Sequence, residues 1–411
     1  NRSNRFLTRE IAKAYLDSCA PNAILFTNGD NDTFPLWYMQ EVEGYRTDIR
    51  ICNLSLAGTD WYLDQMKRKA YDGEPAPIMM TKEMYKQGTR DMLVARNEIK
   101  SPQNLANVMK DIMYNPQNNK REAYIRTTRF YLDVDRQKVI ANGTVHPTDT
   151  NKIVDRVVWS MPKETIYHAS GNDTVMIVSK AYIAMMDILA HNNWDRPIYY
   201  VATTGSESFF GLDKYFQMDG LAYRLVPVID DNPNTLGGLY GHVNPDVLYE
   251  NVKKFDFSEY ANPNVYFSED YTRTVINLKM FMLRLADAFV AQDRPKEAHE
   301  VLNLCYSWFP HKTIPYDNMD LYIGELYFKC KTPDAIRDGI KLFDEYVDQM
   351  TLENIYFAKF KGEKSGYVRD EWERNRAVCD RIAYVAQSYP LEDAKLKEEM
   401  TALAQKAAAQ R

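Results

Sequence analysis

Two strand–loop–helix units open the chain, and they constrain its fold more than any other feature. The apolar run 23–27 is short enough for a buried strand, and a break at 28–33 and a helix-like segment at 34–42 follow it. A second unit repeats this order, with a strand predicted at 49–54 and a helix at 61–69. Consecutive strands that are joined through a helix pair in parallel. The sequence therefore predicts an α/β domain with a Rossmann-like, mostly parallel sheet.

The α/β pattern continues, less regularly, to about residue 260. We assign residues 1–260 to this domain and interpret about 71–150 as an insertion. The insertion is predicted to hold one short helix, at about 102–113, and a β-hairpin with strands at 129–134 and 138–141. Beyond it the pattern predicts a strand, a helix and another strand, at 175–178, 180–192 and 197–202.

From about residue 271 the chain contains helical patterns only. Small and large apolar residues follow the spacing of a tetratricopeptide repeat (TPR), in which two antiparallel helices interlock. The well-spaced repeat consists of Met282, Leu285, Ala286, Phe289, Ala298, Leu302, Cys305 and Pro310. A looser copy consists of Ile323, Gly324, Tyr327, Gly339, Phe343 and Tyr346. We therefore expect residues 271–411 to form a TPR-like helical domain.

Composition and missing motifs exclude several classes of protein. The formal net charge is −6, whereas nucleic-acid binders usually concentrate basic charge on one face. No run reaches the roughly 18 apolar residues that span a bilayer. The 5 cysteines are widely spaced and the 6 histidines lack metal-ligand spacing, so we expect neither a disulfide scaffold nor a zinc site. No G-x-G-x-x-G follows the first strand and no G-x-S-x-G occurs, which argues against a dinucleotide site and a hydrolase nucleophile.

The loop after the first predicted strand holds the leading candidate for a ligand site. Asp30 and Asp32 bring two carboxylates close together, and such pairs can hold Mg²⁺ or Mn²⁺ against a diphosphate. The same segment suits helix capping, with Asp32 or Thr33 as the N-cap and Pro35 in the first turn. Gly29 is expected to allow the tight turn. Both interpretations stay open, and a divalent cation is the one cofactor that the sequence leaves open.

Aromatic residues lie close to this loop and in the following helix. Trp37 follows the loop, and Trp61 follows Thr59-Asp60, which is predicted to cap the second helix. Such rings either pack in the core or stack on sugars. No catalytic residue emerges, and the ligand-binding candidates are Asn28, Gly29, Asp30, Asp32, Thr33, Trp37 and Asp60, with Asp30 and Asp32 as the metal ligands if a metal binds.

Several ordered blocks of sequence resemble one protein family. They are Asn22–Tyr38, Thr47–Arg50, Asn53–Leu56, Asp60–Tyr62, Trp194–Tyr199, Gly220–Pro227 and Arg284–Ala286. Together they are similar to the soluble C-terminal region of a bacterial family of multi-spanning membrane proteins. That family carries a domain of unknown function that resembles protein O-mannosyltransferases of the glycosyltransferase-C type. The resemblance spans nearly the whole chain.

The resemblance places the transferase chemistry outside this chain, in an N-terminal membrane domain, so no catalytic residue is carried over. It implies a region on the periplasmic side of the inner membrane. The implied partners are the N-terminal transmembrane domain of the same protein and an acceptor polypeptide or glycan. The chain begins with Asn1 rather than Met, and we expect it to be part of a longer protein.

Three hypotheses for the function follow. The chain is an accessory or acceptor-binding region of a protein O-mannosyltransferase-like membrane protein and is not itself catalytic. Alternatively, it is a metal-dependent sugar-processing enzyme domain that uses the Asp30-Asn31-Asp32 loop. In the third hypothesis the TPR-type helices form a scaffold for protein interactions.

Overall fold

The chain folds as a mixed α/β region followed by a helical region. The computed structural model describes residues 6–114, 124–162, 166–168, 174–229 and 239–410. They divide into two compact units, one formed by residues 6–255 and the other beginning at Asp256. The order of an α/β region and then a helical region is the order that the sequence predicted.

The first unit alternates short strands with short helices. Its strands are β1 (Ile24–Thr27), β2 (Arg50–Asn53), β3 (Met92–Ala95), β4 (Gln103–Asn104), β5 (Tyr124–Ile125), β6 (Arg129–Asp133), β7 (Arg156–Ser160), β8 (Ile166–His168), β9 (Thr174–Ser179), β10 (Ile198–Val201), β11 (Phe216–Met218) and β12 (Ala222–Leu225). Its helices are α1 (Leu7–Asp17), α2 (Asp30–Glu41), α3 (Asp60–Met66), α4 (Lys82–Tyr85), α5 (Leu105–Tyr114), α6 (Arg136–Ala141), α7 (Lys180–Asn192) and α8 (Pro245–Val252).

One sheet positions the candidate site, and it is mixed rather than mostly parallel. Its strand order is β11-β12-β10-β1-β2. β1 pairs in parallel with β2, as the two strand–loop–helix units predicted, and it also pairs in parallel with β10. β12 pairs antiparallel with β10 and with β11, which the sequence did not indicate. All four residues of β1 are buried, and β1 lies between β10 and β2 in the sheet.

The predicted hairpin at 129–134 and 138–141 is wrong in its second half. β6 forms as predicted, but its antiparallel partner is β7, which begins more than 20 residues later. Residues 136–141 form α6 instead. The Asp135 carboxylate accepts a hydrogen bond from the Lys138 backbone N–H at 3.0 Å and caps this helix. The capped helix α6 therefore forms in place of the predicted second strand of the hairpin.

A buried ion pair in α7 predicts a specific pH dependence. The Asp187 carboxylate is fully buried, accepts a hydrogen bond from the Met80 backbone N–H at 2.9 Å and lies 2.7 Å from His191 Nδ1. The neighbouring Asp187 carboxylate raises the pKa of His191 above its usual 6.5, and His191 Nδ1 also lies 3.0 Å from the Asp187 backbone carbonyl. A pKa that is higher in the folded than in the unfolded protein means that protonation stabilises the fold. This stabilisation is fully present at pH values below the unfolded-state pKa and is lost as the pH rises through the folded-state pKa.

We therefore expect the free energy of unfolding to fall by on the order of 1 kcal/mol as the pH rises through the pKa of His191. Urea unfolding at several pH values measures this loss. The His191→Gln variant is the control, because it lacks the titrating ring and should lose this part of the pH dependence. Identical pH profiles for the two proteins would contradict the assignment.

The second unit consists of helices that pack in pairs. The helices are α9 (Glu269–Ala291), α10 (Pro295–Trp308), α11 (Asn318–Lys329), α12 (Pro333–Phe357), α13 (Arg369–Ser388) and α14 (Ala394–Ala408). Three residues connect α9 to α10 and three connect α11 to α12, so each pair forms a helical hairpin. Ala286 and Ala298 are fully buried, on α9 and α10. Gly324 and Gly339 lie where α11 and α12 approach closely, since a Cβ at Gly324 would lie 2.2 Å from Phe343 Cε1.

A buried charge network joins α9 to the start of α11. The Lys279 ammonium is 1% exposed and donates hydrogen bonds to Asp320 Oδ2 at 2.7 Å and to Asp317 Oδ2 at 3.0 Å. The Tyr306 hydroxyl donates to the second Asp320 oxygen at 2.7 Å. Burial lowers the pKa of Lys279, but the two carboxylates outweigh it and hold the pKa above its usual value. The network therefore satisfies a cation that would otherwise be costly to bury.

Within the described residues, no helix combines the length and the apolar character that a membrane span needs.

Candidate functional site

The parallel strands β10, β1 and β2 end at one edge of the sheet, and the candidate residues lie there. β1 is the point at which the strand order changes direction, since β2 lies on one side of it and β10 on the other. In α/β sheets, ligands bind in the crevice beyond such a point, where helix N-termini converge. Helix α2 begins at this edge directly after β1.

Thr33 has a structural role at this edge, because its hydroxyl forms hydrogen bonds to neighbouring elements. Its buried hydroxyl donates to the Gly29 carbonyl at 2.7 Å. It also accepts from Thr27 Oγ1 and from Asn53 Nδ2, each at 2.7 Å. These bonds tie β1, α2 and β2 together. The Thr33 hydroxyl has no remaining donor for a ligand.

Asp32 is held by a contact from the far side of the edge. Thr203, which follows β10, donates to Asp32 Oδ1 at 2.5 Å. The Tyr15 hydroxyl on α1 lies 3.0 Å from the same Thr203 oxygen. Burial raises the pKa of Asp32, and the hydrogen bond from Thr203 opposes that rise. The Thr203 hydroxyl thus connects Asp32 on α2 to Tyr15 on α1.

Helix α2 starts earlier than the sequence predicted. Gly29 is its N-cap and Asp30 its first residue, so the prediction of Asp32 or Thr33 as the N-cap is wrong. Pro35 consequently lies beyond the first turn. Carboxylates are favoured within the first turn by the helix dipole, which explains the earlier start. Gly29 has extended backbone angles and open space around its Cα, so the turn does not require a glycine there.

The helical placement also decides how the two carboxylates are oriented. Residues two apart on an α-helix differ by about 200° around its axis and do not face each other. Asp30 is exposed, whereas Asp32 is partly buried against Thr203. Among the described residues, no group of three or more His, Cys, Asp or Glu side chains is placed to hold a metal ion.

The Asp32→Asn variant tests whether this loop binds a cation. Asparagine keeps an oxygen for Thr203 and removes a carboxylate whose ionised form burial disfavours. We therefore expect the free energy of unfolding at neutral pH to stay within about 1 kcal/mol of the parent or to rise slightly. Thermal unfolding with and without Mg²⁺, Mn²⁺ or Ca²⁺ measures both properties. A cation-dependent stabilisation that both Asp30→Asn and Asp32→Asn abolish would instead support the metal hypothesis.

Two further candidates contact neighbouring loops rather than open space. The Asn28 carbonyl accepts from Ser55 Oγ at 2.5 Å, which joins the loops after β1 and β2. Asp60 is the first residue of α3 and lies 3.7 Å from the Lys82 ammonium. Lys82 also pairs with Asp64. Asn28 and Asp60 thus fix the two ends of the segment between β2 and α3.

Trp37 lines an open cleft between α2 and α3, beside β2. Its volume is about 550 Å³, and we call it the α2–α3 cleft. Its lining includes Trp37, Gln40, Arg50, Trp61, Tyr62 and Tyr71. Trp61 is 49% exposed and Tyr71 is 59% exposed. The cleft therefore presents aromatic rings to solvent that the core does not use.

The edge of β2 faces this cleft, and side chains occupy its backbone groups. The Tyr62 hydroxyl accepts from the Asn53 N–H at 2.8 Å and donates to the Ile51 carbonyl at 3.3 Å. Gln40 Nε2 donates to the Ile49 carbonyl at 2.8 Å. An edge strand protected in this way is a poor template for another strand.

The family match includes all of these residues. A profile of the family described as TMEM260-associated domain 2 matches residues 8–247, more than half of the 411-residue chain. The chain belongs to this family. Comparison with curated proteins found no match, and comparison with solved structures found none either.

Membership in the TMEM260-associated domain 2 family confirms part of the resemblance drawn from the sequence. The family name associates the domain with a membrane protein, as expected. The likeness to O-mannosyltransferases and the TPR-like ending stay predictions. The match ends before the helical unit, so the candidate edge and the α2–α3 cleft lie within the family domain.

Sequence reasoning missed several residues of this TMEM260-associated domain. Tyr15 and Thr203 carry no local signal, because the sheet topology alone brings Thr203 to Asp32 and to Tyr15. Arg50 did carry a sequence signal, since it is the one charged residue in the predicted strand at 49–54. Trp61 was considered for sugar stacking but was left out of the ligand-binding candidates.

Proposed function

We propose that the chain is the accessory region of a protein O-mannosyltransferase-like membrane protein and lies on the periplasmic side of the membrane. In this proposal it binds the acceptor of the transfer reaction and does not carry out the transfer itself. The membrane-protein association of the family name supports the first part. The α2–α3 cleft supports the second.

The observation that carries the proposal is the exposure of indole and phenol rings in a cleft large enough for a ligand. Trp61 and Tyr71 are about half exposed, and Trp37 is partly exposed beside them. Binding sites combine apolar and aromatic walls with a few polar groups that fix orientation. Gln40 and Arg50 are such polar groups here. The flat faces of aromatic rings suit the apolar C–H faces of sugars.

We also propose a finer description of both units. The β10–β1–β2 part of the sheet, with α2 between β1 and β2, is Rossmann-like in its local topology. The α9–α10 and α11–α12 hairpins are TPR-like, because Ala286, Ala298 and Gly324 occupy the tight helix contacts that the repeat spacing assigns to small residues.

Binding to arrays of glycans and of extracytoplasmic peptides tests the proposed function. We expect the chain to bind a subset of these probes, and Trp61→Ala to weaken that binding by at least about tenfold, which corresponds to about 1.4 kcal/mol. Trp372→Ala is the matched control, since this indole is 40% exposed and lies on α13, outside the cleft. Binding that Trp61→Ala leaves unchanged, or no binding to any probe, would contradict the proposal.

A further inference from the structure

Arg50 enters the α2–α3 cleft with most of its hydrogen-bonding capacity unused. The guanidinium carries five N–H donors. One of its terminal nitrogens, Nη2, donates to the Gln65 carbonyl at 2.5 Å. Its Nε is buried and has no partner in the part of the chain that the structure describes. Arg50 also takes part in no ion pair within that part.

The surroundings of Arg50 include a second guanidinium, that of Arg196, and Glu74 is a carboxylate that partly offsets the charge of Arg196. Burial lowers the pKa of Arg50, and the neighbouring groups that oppose this are Tyr62 and Cys52, not a carboxylate. Arg196 is close enough for Arg50 to lower its pKa further, after burial. Arg196 donates to backbone carbonyls, at 2.8 Å to Asn22 and 2.9 Å to Pro75. Two guanidinium groups therefore lie near each other, and Arg50 has no counter-ion there.

The other charged residues that line the cleft do not supply that counter-ion. Glu41 accepts a hydrogen bond from the Tyr71 hydroxyl. Lys69 pairs with Glu74 at 2.7 Å. Arg68 is exposed and adds a further positive charge. The lining as a whole thus favours an anionic ligand.

Resting on the proposed function, we infer that the α2–α3 cleft binds an oligosaccharide with an acidic group, which Arg50 holds while the rings of Trp37 and Trp61 contact the sugar. A planar guanidinium offers parallel N–H groups that match a carboxylate or a sulfate. An extended peptide would need the backbone groups along the edge of β2, and Tyr62 already occupies two of them while Gln40 occupies the carbonyl of the preceding Ile49. The cleft therefore suits a sugar better than an added strand.

Matched oligosaccharides of equal length test the inference by titration calorimetry. One series consists of neutral hexoses, a second contains hexuronic acid, and a third contains a sulfated hexose. We expect at least one acidic series to bind the parent about tenfold or more tightly than the neutral series, and this preference to shrink at high salt. The acidic series that binds identifies whether the group is a carboxylate or a sulfate.

Variants at Arg50 separate charge recognition from stacking. Arg50→Gln should remove the preference for acidic sugars, and Arg50→Lys should restore little of it because an ammonium lacks the planar fork. Arg129→Gln, at an exposed arginine outside the cleft, should keep the preference. Equal binding of neutral and acidic sugars, with both weakened by Trp61→Ala, would overturn this inference and leave the proposed function intact. No binding of any series to the parent would overturn the inference and, together with negative peptide arrays, the proposed function.

Discussion

Replacing Lys279 with methionine should lower the free energy of unfolding of the helical unit by about 3–5 kcal/mol. Methionine keeps most of the apolar stem but removes the ammonium, which leaves the fully buried Asp320 carboxylate without its cation. Burial already raises the pKa of Asp320, and Lys279 opposes that rise. Chemical denaturation of the parent and the variant measures the difference.

The pH dependence of the variant distinguishes a lost charge from a lost contact. When the pKa of an aspartate is raised in the folded state, its ionised form destabilises the protein at pH values above that pKa. This destabilisation disappears as the pH falls through the folded-state pKa and the carboxylate is protonated. The deficit of Lys279→Met should therefore shrink at acidic pH, and Asp320→Asn in the same chain should recover part of it. Lys406→Met is the control, since Lys406 is about one-third exposed and pairs with Asp344 and Asp348 at the surface. It should cost less than about 1 kcal/mol. A deficit for Lys279→Met as small as that of the control would contradict the role of the network.

Replacing Gly324 with leucine should destabilise the α11–α12 hairpin by about 2–3 kcal/mol. A Cβ alone would lie 2.2 Å from Phe343 Cε1 and 2.8 Å from Phe343 Cδ1, and this ring is fully buried. Leucine favours a helix more than glycine by under about 1 kcal/mol, which is smaller than the cost of overpacking. Thermal and denaturant unfolding measure the change.

A second glycine supplies the matched control for this substitution. Gly366 has no atom within 4 Å of an added Cβ and does not adopt a left-handed conformation. Gly366→Leu should therefore change the free energy of unfolding by less than about 1 kcal/mol. If Gly324→Leu were equally silent, the close approach of the two helices would not occur in solution.

The sequence predicted those elements whose signals are local. The apolar run at 23–27 and the strand at 49–54 became β1 and β2, because a short buried strand is encoded by consecutive residues. The antiparallel strands β11 and β12, and the pairing of β6 with β7, were missed because their partners are distant or their segments rich in turn residues. The start of α2 was misplaced since Asp30 and Asp32 suit a cap and a first turn alike.

The candidate site was predictable only in part for the same reason. The sequence made the loop after β1 the leading candidate, and the structure places this loop at the edge where the parallel strands β10, β1 and β2 end. It did not show that Thr203 donates a hydrogen bond to Asp32. It also did not show that the Thr33 hydroxyl already accepts hydrogen bonds from Thr27 and Asn53. The α2–α3 cleft depends on how two helices lie beside β2, and helical periodicity cannot separate a core tryptophan from one that lines a cleft. Fractional exposure of Trp61 makes that distinction.

We propose that this chain binds an acceptor and does not modify it. The most direct test incubates the chain with lipid-linked and nucleotide sugar donors and with the acceptor that the arrays identify, and then measures the mass of the acceptor. The account predicts that the acceptor binds and keeps its mass, in the presence or absence of divalent cations. Transfer of a sugar to the acceptor by the chain, abolished by Asp30→Asn, would contradict the account and assign the chemistry to the loop after β1.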